Sequence, residues 1–172
     1  MAEMRALTLR QPWAWAIAEQ GKDVENRPWM TRYRELVAIH AGRTLDGDVY
    51  EIAGAMRDEM AARALRALAA ECTLAQRITD RATHMRLSRI HAIAELADCH
   101  HSSECMLSAN SVIAGTWTGC SRWAVRGQCH FGLRNVRALA EPVPCHPGKL
   151  GLWRLPADVE STVRAQLEDS NA

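Results

Sequence analysis

The chain has 172 residues, 48% of them hydrophobic, which is enough to bury the core of one ordinary domain without disulfides or a metal. Lys and Arg total 21 against 20 Asp and Glu, a net charge of +1 that excludes a polycationic or polyanionic chain but leaves local patches open. Only Lys22 and Lys149 are lysines, so the basic chemistry is almost all guanidinium, and six Trp against two Tyr and one Phe favour stacking on flat ligands or anchoring of interfaces.

In chain order, Ala6 to Arg10 alternates as a short strand. Pro12 then opens a helix, Pro12-Trp-Ala-Trp-Ala-Ile-Ala-Glu-Gln20, and Gly21 closes it. Asp23 to Trp29 reads as extended, and Leu36-Val-Ala-Ile-His40 as a strand buried on both faces or at a barrel wall. From about 45 to 89 the pattern changes. Ile52, Met56, Met60, Leu65 and Leu68 recur at helical spacing, Thr73 and Gln76 form a capping box, and the eight arginines from Arg43 to Arg89 face seven acids, so a solvated helical hairpin inserted into a β domain is expected. Strands return at Arg89 to Ala97, Gln128 to Arg134 and Leu150 to Leu155, with a polar loop over 101–121 between the first two. From Arg122 to Arg154 six cations accompany one acid, Glu141, which locates most of the positive excess. The expected architecture is α+β: a small closed or nearly closed β-barrel with flanking helices and the inserted hairpin. Residues 1–157 make one domain, and 158–172 a polar tail that at most forms a short, fraying helix.

Six cysteines would suit a secreted disulfide framework, but Glu3, Arg5, Arg10 and Gln11 interrupt the N-terminal segment and no run is long and apolar enough for a membrane span. A cytoplasmic protein with reduced thiols is expected, without a membrane partner. Cys99-His100-His101, Cys105, Cys120 and Cys129-His130 offer enough sulfur and nitrogen for zinc, yet no two cysteines have C-x-x-C spacing. The expectation is therefore buried thiols and loop histidines, with no metal and no cofactor.

Three groups of residues carry potential chemistry: Leu9-Arg-Gln-Pro-Trp13, then Gly21-Lys-Asp-Val-Glu-Asn-Arg-Pro-Trp29, then Thr31-Arg-Tyr-Arg34 leading to Ile39-His-Ala41. By period-two alternation Glu25, Arg27 and Trp29 share one strand face. Arg27, with Arg10, Arg32 and Arg34, can hold phosphates through bidentate hydrogen bonds; Trp13 or Trp29 can stack a base; Gln11, Glu25 or Asn26 can meet polar edges. The plainer alternative is that Glu25 and Arg27 simply pair, that Trp13 and Trp15 fill the core and that Arg32 and Arg34 are solvated.

These ordered motifs, with Pro142-Val-Pro-Cys145 and Gly148-Lys-Leu-Gly-Leu-Trp-Arg154 near the end, resemble the ASCH domain of the PUA-like superfamily, in its bacterial single-domain type, over roughly residues 5–42 and 89–155. The resemblance implies a PUA-like barrel that binds RNA, another single-stranded nucleic acid or a modified nucleotide, in a cleft between barrel and first helix. It also implies an enzymatic alternative, hydrolysis of the acetyl amide of N4-acetylcytidine, with Lys22 as base. Glu25 stands where that branch has threonine, so Lys22 and Glu25 would have to activate water, with Glu95 or Glu104 as the downstream carboxylate. Ribonuclease activity lacks a supporting metal-carboxylate cluster or histidine pair. A third reading is an interaction module whose helical insertion docks a protein. The chain departs from the family where Glu35-Leu36 follows Arg34 in place of Gly-Pro, which weakens phosphate binding at Arg34 more than at Arg27. His40 reads as a hydrogen-bonded wall residue, and Trp117, Trp123 and Trp153 read mainly as barrel packing, with Trp123, in a C-x-x-W pattern after Cys120, also placed to line the same cleft.

Overall fold

The computed structural model describes residues 3–46, 66, 86–107 and 119–169. Apart from its two ends and Arg66, the expected helical hairpin at about 45–89 lies outside the described residues, as does Trp117.

Strand β1 (Arg5–Gln11) leads into helix α1 (Trp13–Glu19), followed by β2 (Val24–Arg27) and β3 (Leu36–Leu45). The long strands β4 (Arg89–His101) and β5 (Cys129–Pro144) come next, with a 3₁₀ turn at Glu104–Leu107 between them. A short β6 (Leu152–Arg154) and helix α2 (Ala157–Asp169) end the described chain. The strands form one six-stranded sheet in the order β2-β5-β4-β3-β1-β6. Its pairings are antiparallel except β1 with β3, which runs parallel in the register Leu7 to Ile39.

The α+β class stands, but barrel closure is corrected: β2 and β6 are the two ends of the sheet and do not pair with each other among the described residues. The edge strands have only four and three residues, and such short edges resist pairing with foreign strands.

Strand alternation sends side chains to both faces of this sheet. Val37, Ile39 and Ala41 of β3 join Leu7 and Leu9 of β1 beneath Ala14 and Ile17 of α1. On the opposite face Ala6, Ala38, Ile90, Ile93 and Trp153 pack with Val159, Val163 and Leu167. Ile90 and Ile93 share this face despite their odd spacing because the β4 register shifts between Ile90 and Ala92. Central β3 is thus covered on both sides, which explains its unbroken apolar run. Each buried Val, Leu or Ile among them contributes about 1.5–3 kcal/mol of transfer free energy.

The C-terminal segment differs from the fraying tail expected of it. Val159, Val163 and Leu167 recur at i, i+4 and i+8, so a 13-residue helix of polar composition presents one apolar stripe to the sheet. Glu160 Oε1 accepts hydrogen bonds from Arg164 within the helix and from the Met4 amide, which ties α2 to the start of β1. No helix among the described residues is long and apolar enough to cross a membrane.

Candidate functional site

The site is organised by the end of α1. Gly21 adopts φ +65°, a left-handed conformation that suits glycine, and the Lys22 amide donates back to Ala16 O at 3.0 Å. This closing turn folds Lys22 back against its own helix. Its ammonium lies 5.7 Å from the centroid of the Trp13 ring, and the residue is only 2% exposed. Lys22 Nζ donates to Val24 O and, at 2.7 Å, to Glu25 Oε2. Glu25 Oε1 stands 3.2 Å from Arg27 Nε, and Arg27 Nη2 donates to Thr8 O at 2.7 Å.

A chain of contacts therefore runs from Trp13 through Lys22, Glu25 and Arg27 to β1. It contains two cations and one carboxylate, a surplus of one positive charge in a largely buried place. Burial of a lysine this complete is tolerated only with a partner, because the unpaired ammonium would lose several kcal/mol of hydration (about 3–5 kcal/mol when a partner is removed).

Gln11 and Trp13 also serve the helix. Gln11 Oε1 accepts the Trp15 amide at 3.1 Å, satisfying a first-turn donor, and Trp13 Nε1 donates to Asp46 Oδ2 at 2.7 Å. Asn26 uses both ends of its amide on a loop far away in sequence: Nδ2 donates to Trp123 O at 2.9 Å, and Oδ1 accepts the Val125 amide at 2.9 Å. The same loop is held by Ser121 Oγ donating to Asp23 Oδ1 and by Arg122 Nη2 donating to Gln20 O. Trp123 packs with Ala16 and Val24, against partly buried Trp13 and Trp15. Exposed Arg122 stacks its guanidinium 5.4 Å from the Trp123 ring centroid, and Arg126 is exposed a few residues on.

Gln11, Trp13, Lys22, Glu25, Asn26 and Arg27 thus gather around α1 and β2. The remaining expected residues are placed differently. Trp29 packs edge-on against Phe131 with centroids 4.9 Å apart. Arg34 folds onto its own loop, donating to Thr31 O and Tyr33 O. Arg32 is exposed, and Arg10 lies 3.9 Å from Asp46. Glu95 accepts from Asn135, Glu104 accepts the His101 amide, and neither joins the Lys22 group among the described residues. Arg122 and Arg126 are residues that motif reading passed over; the sequence held a trace of them only in the basic character of the last third.

His40 is fully buried in the β3 wall. Its Nε2 donates to Cys145 O at 2.9 Å, so Nδ1, 3.2 Å from Thr8 Oγ1, accepts from that hydroxyl. Trp153 Nε1 in turn donates to Thr8 Oγ1 at 2.9 Å. Burial holds the His40 imidazole below its ordinary range, in keeping with a neutral ring in this directional chain.

No protein-family profile matches the sequence, and no curated protein matches it. Similar solved structures include ASCH from Zymomonas mobilis, at 12% identity and a TM-score of 0.48, covering 95% of this chain and 94% of that one. A mutant form of the Zymomonas mobilis protein gives the same identity and TM-score over 95% of this chain and 98% of that chain. These similar structures are all of the Zymomonas mobilis ASCH protein.

Proposed function

We propose that this chain is an ASCH-type domain that binds single-stranded RNA or a modified nucleotide where α1, β2 and the 119–128 loop meet. The observation that carries this reading is an excess of donors and positive charge at one place. Lys22 and Arg27 share a single carboxylate, and three buried donors around α1 and β2, Gln11 Nε2, Arg27 Nε and Trp123 Nε1, have no hydrogen-bond partner among the described residues. A ligand rich in acceptors, such as a phosphate or a base carbonyl, supplies what this site lacks. Trp13 and Trp123 add aromatic surface, and Arg122 and Arg126 add exposed guanidinium for the backbone of a longer strand.

Both oxygens of Glu25 are engaged, one by Lys22 and one by Arg27. That suits a carboxylate that positions two cations better than one that activates water, so binding is favoured over amide hydrolysis.

Titration with single-stranded RNA at low salt should quench tryptophan fluorescence, with an association constant that falls linearly with salt on logarithmic axes. Absence of any change at low salt overturns the proposal. Incubation of stoichiometric protein with N4-acetylcytidine distinguishes the enzymatic alternative: turnover that is lost in Lys22→Met would replace binding by hydrolysis as the function.

A further inference from the structure

From the geometry at the open end of the β4–β5 pair we infer a structural zinc site formed by His100, Cys105, Cys120 and His130. His100 and His130 are direct cross-strand partners, so the sheet itself brings the two imidazoles together, with ring centroids 5.3 Å apart. Cys105 comes from the 3₁₀ turn just after β4, and Cys120 from the loop that returns to β5. One donor atom from each of the four lies within 4.8 Å of all the others. His100 Nε2 is 3.1 Å from Cys105 Sγ, and His130 Nδ1 is 3.2 Å from Cys105 Sγ and 3.3 Å from Cys120 Sγ. A tetrahedral zinc ion with bonds of about 2.0 Å to nitrogen and 2.3 Å to sulfur separates its donors by roughly 3.3–3.8 Å, so the three close pairs must open slightly and the wider pairs, within 4.8 Å, must close to accommodate it.

The surroundings of the two histidines supply an independent reason. His100 Nδ1 lies 2.6 Å from Asp98 Oδ2, and His130 Nε2 lies 2.9 Å from Val125 O. Each outer partner accepts a hydrogen bond from the N–H it faces, which leaves the lone pair of the other nitrogen directed at Cys105 Sγ in His100 and at both sulfurs in His130. A carboxylate or carbonyl behind each imidazole is the arrangement that orients metal-bound histidine. Two thiolates with two neutral imidazoles fill a tetrahedron and match zinc in softness; a full set of protein ligands makes the site structural, with no coordination position for substrate. On binding, the two thiols release their protons to solvent and their sulfurs form the metal bonds.

Such a centre joins both ends of the 102–128 connection. It would fix the start of the segment whose Ser121 and Trp123 contact Asp23 and Asn26, and so hold one wall of the candidate binding site. The zinc inference itself does not depend on what that site binds.

Metal analysis of full-length protein, prepared without added chelator, should find one zinc per chain. Cobalt substitution should give the visible bands of a tetrahedral ion and the near-ultraviolet charge transfer of thiolate ligation. Cys120→Ser should lose the charge-transfer intensity in part, whereas Cys145→Ser, whose cysteine sits in the opposite core, should retain it. Should Cys120→Ser fail to fold, Asp98→Asn provides the test: it keeps all four ligands and is expected to weaken zinc about 10–100-fold in a chelator competition. Folded protein without stoichiometric zinc and without cobalt bands on titration overturns the inference. So does a Cys105–Cys120 disulfide in protein from reducing cells, or an unchanged cobalt spectrum in folded Cys120→Ser.

Discussion

Replacing Glu25 by Gln removes one negative charge from between two cations while keeping the side chain's size. Lys22, at 2% exposure, then has only neutral partners, Val24 O, the Trp13 ring and at most the amide oxygen of the new side chain, and the Arg27 Nε contact is no longer an ion pair. Breaking one side of a buried pair costs about 3–5 kcal/mol, whereas replacing both members by apolar groups of similar volume is often close to neutral. Glu25→Gln should therefore lower Tm by roughly 6–20 °C, taking about 2–4 °C per kcal/mol at this chain length with the cost above. Urea denaturation of Glu25→Gln, Lys22→Met and the double variant Lys22→Met with Glu25→Leu measures the pattern. The double variant should recover much of the loss suffered by the carboxylate variant. A Glu25→Gln protein within about 1 kcal/mol of wild type would refute the reasoning, since exposed ion pairs alone are worth that little.

Gly148 faces the His40 wall so closely that an added Cβ would come 2.5 Å from His40 Cε1 and 2.9 Å from Thr8 Oγ1. Gly148→Ala should cost about 1–3 kcal/mol in denaturant, because the buried ring is held by hydrogen bonds and has nowhere to move. Burial depresses both His40 and His91, so the unfolded chain binds protons that the folded chain refuses. Their contribution is complete above the unfolded value of about 6.5 and declines as pH falls toward the depressed folded values. Tm should therefore drop below about pH 6.5, and less steeply in folded His91→Gln. Asn26→Ala removes two hydrogen bonds that hold the 123–125 loop, and should cost about 1–3 kcal/mol together with faster amide hydrogen exchange in that loop. Truncation before Ala157 would expose the sheet face under Val159, Val163 and Leu167, and should abolish a single cooperative transition; unchanged melting would remove α2 from the core.

Local chemistry was legible along the chain. The Pro12 to Gly21 helix, the closing glycine and the buried run of β3 follow from periodicity and from backbone preferences that act within a few residues. The stripe of Val159, Val163 and Leu167 was present as well, but in a polar segment its meaning depends on a sheet face that the segment itself does not contain. Proximity in sequence misled at Arg34, which satisfies its own loop, and at Trp29, which belongs to the Phe131 core.

The sequence by itself determined that a lysine would follow a helix-ending glycine and be followed three residues later by a carboxylate, because a single tight turn decides that placement. Only the tertiary structure decided that β2 and β6 would remain separate edges, that Asn26 would clamp a loop about a hundred positions away, and that His100 would face His130. The reason is the register of β4 with β5: a ladder of backbone hydrogen bonds selects which distant side chains meet, and slipping one strand by one residue would put the two histidines on opposite faces of the sheet. The Cys and His residues were visible as a supply of ligands without C-x-x-C spacing; their convergence belongs to the sheet.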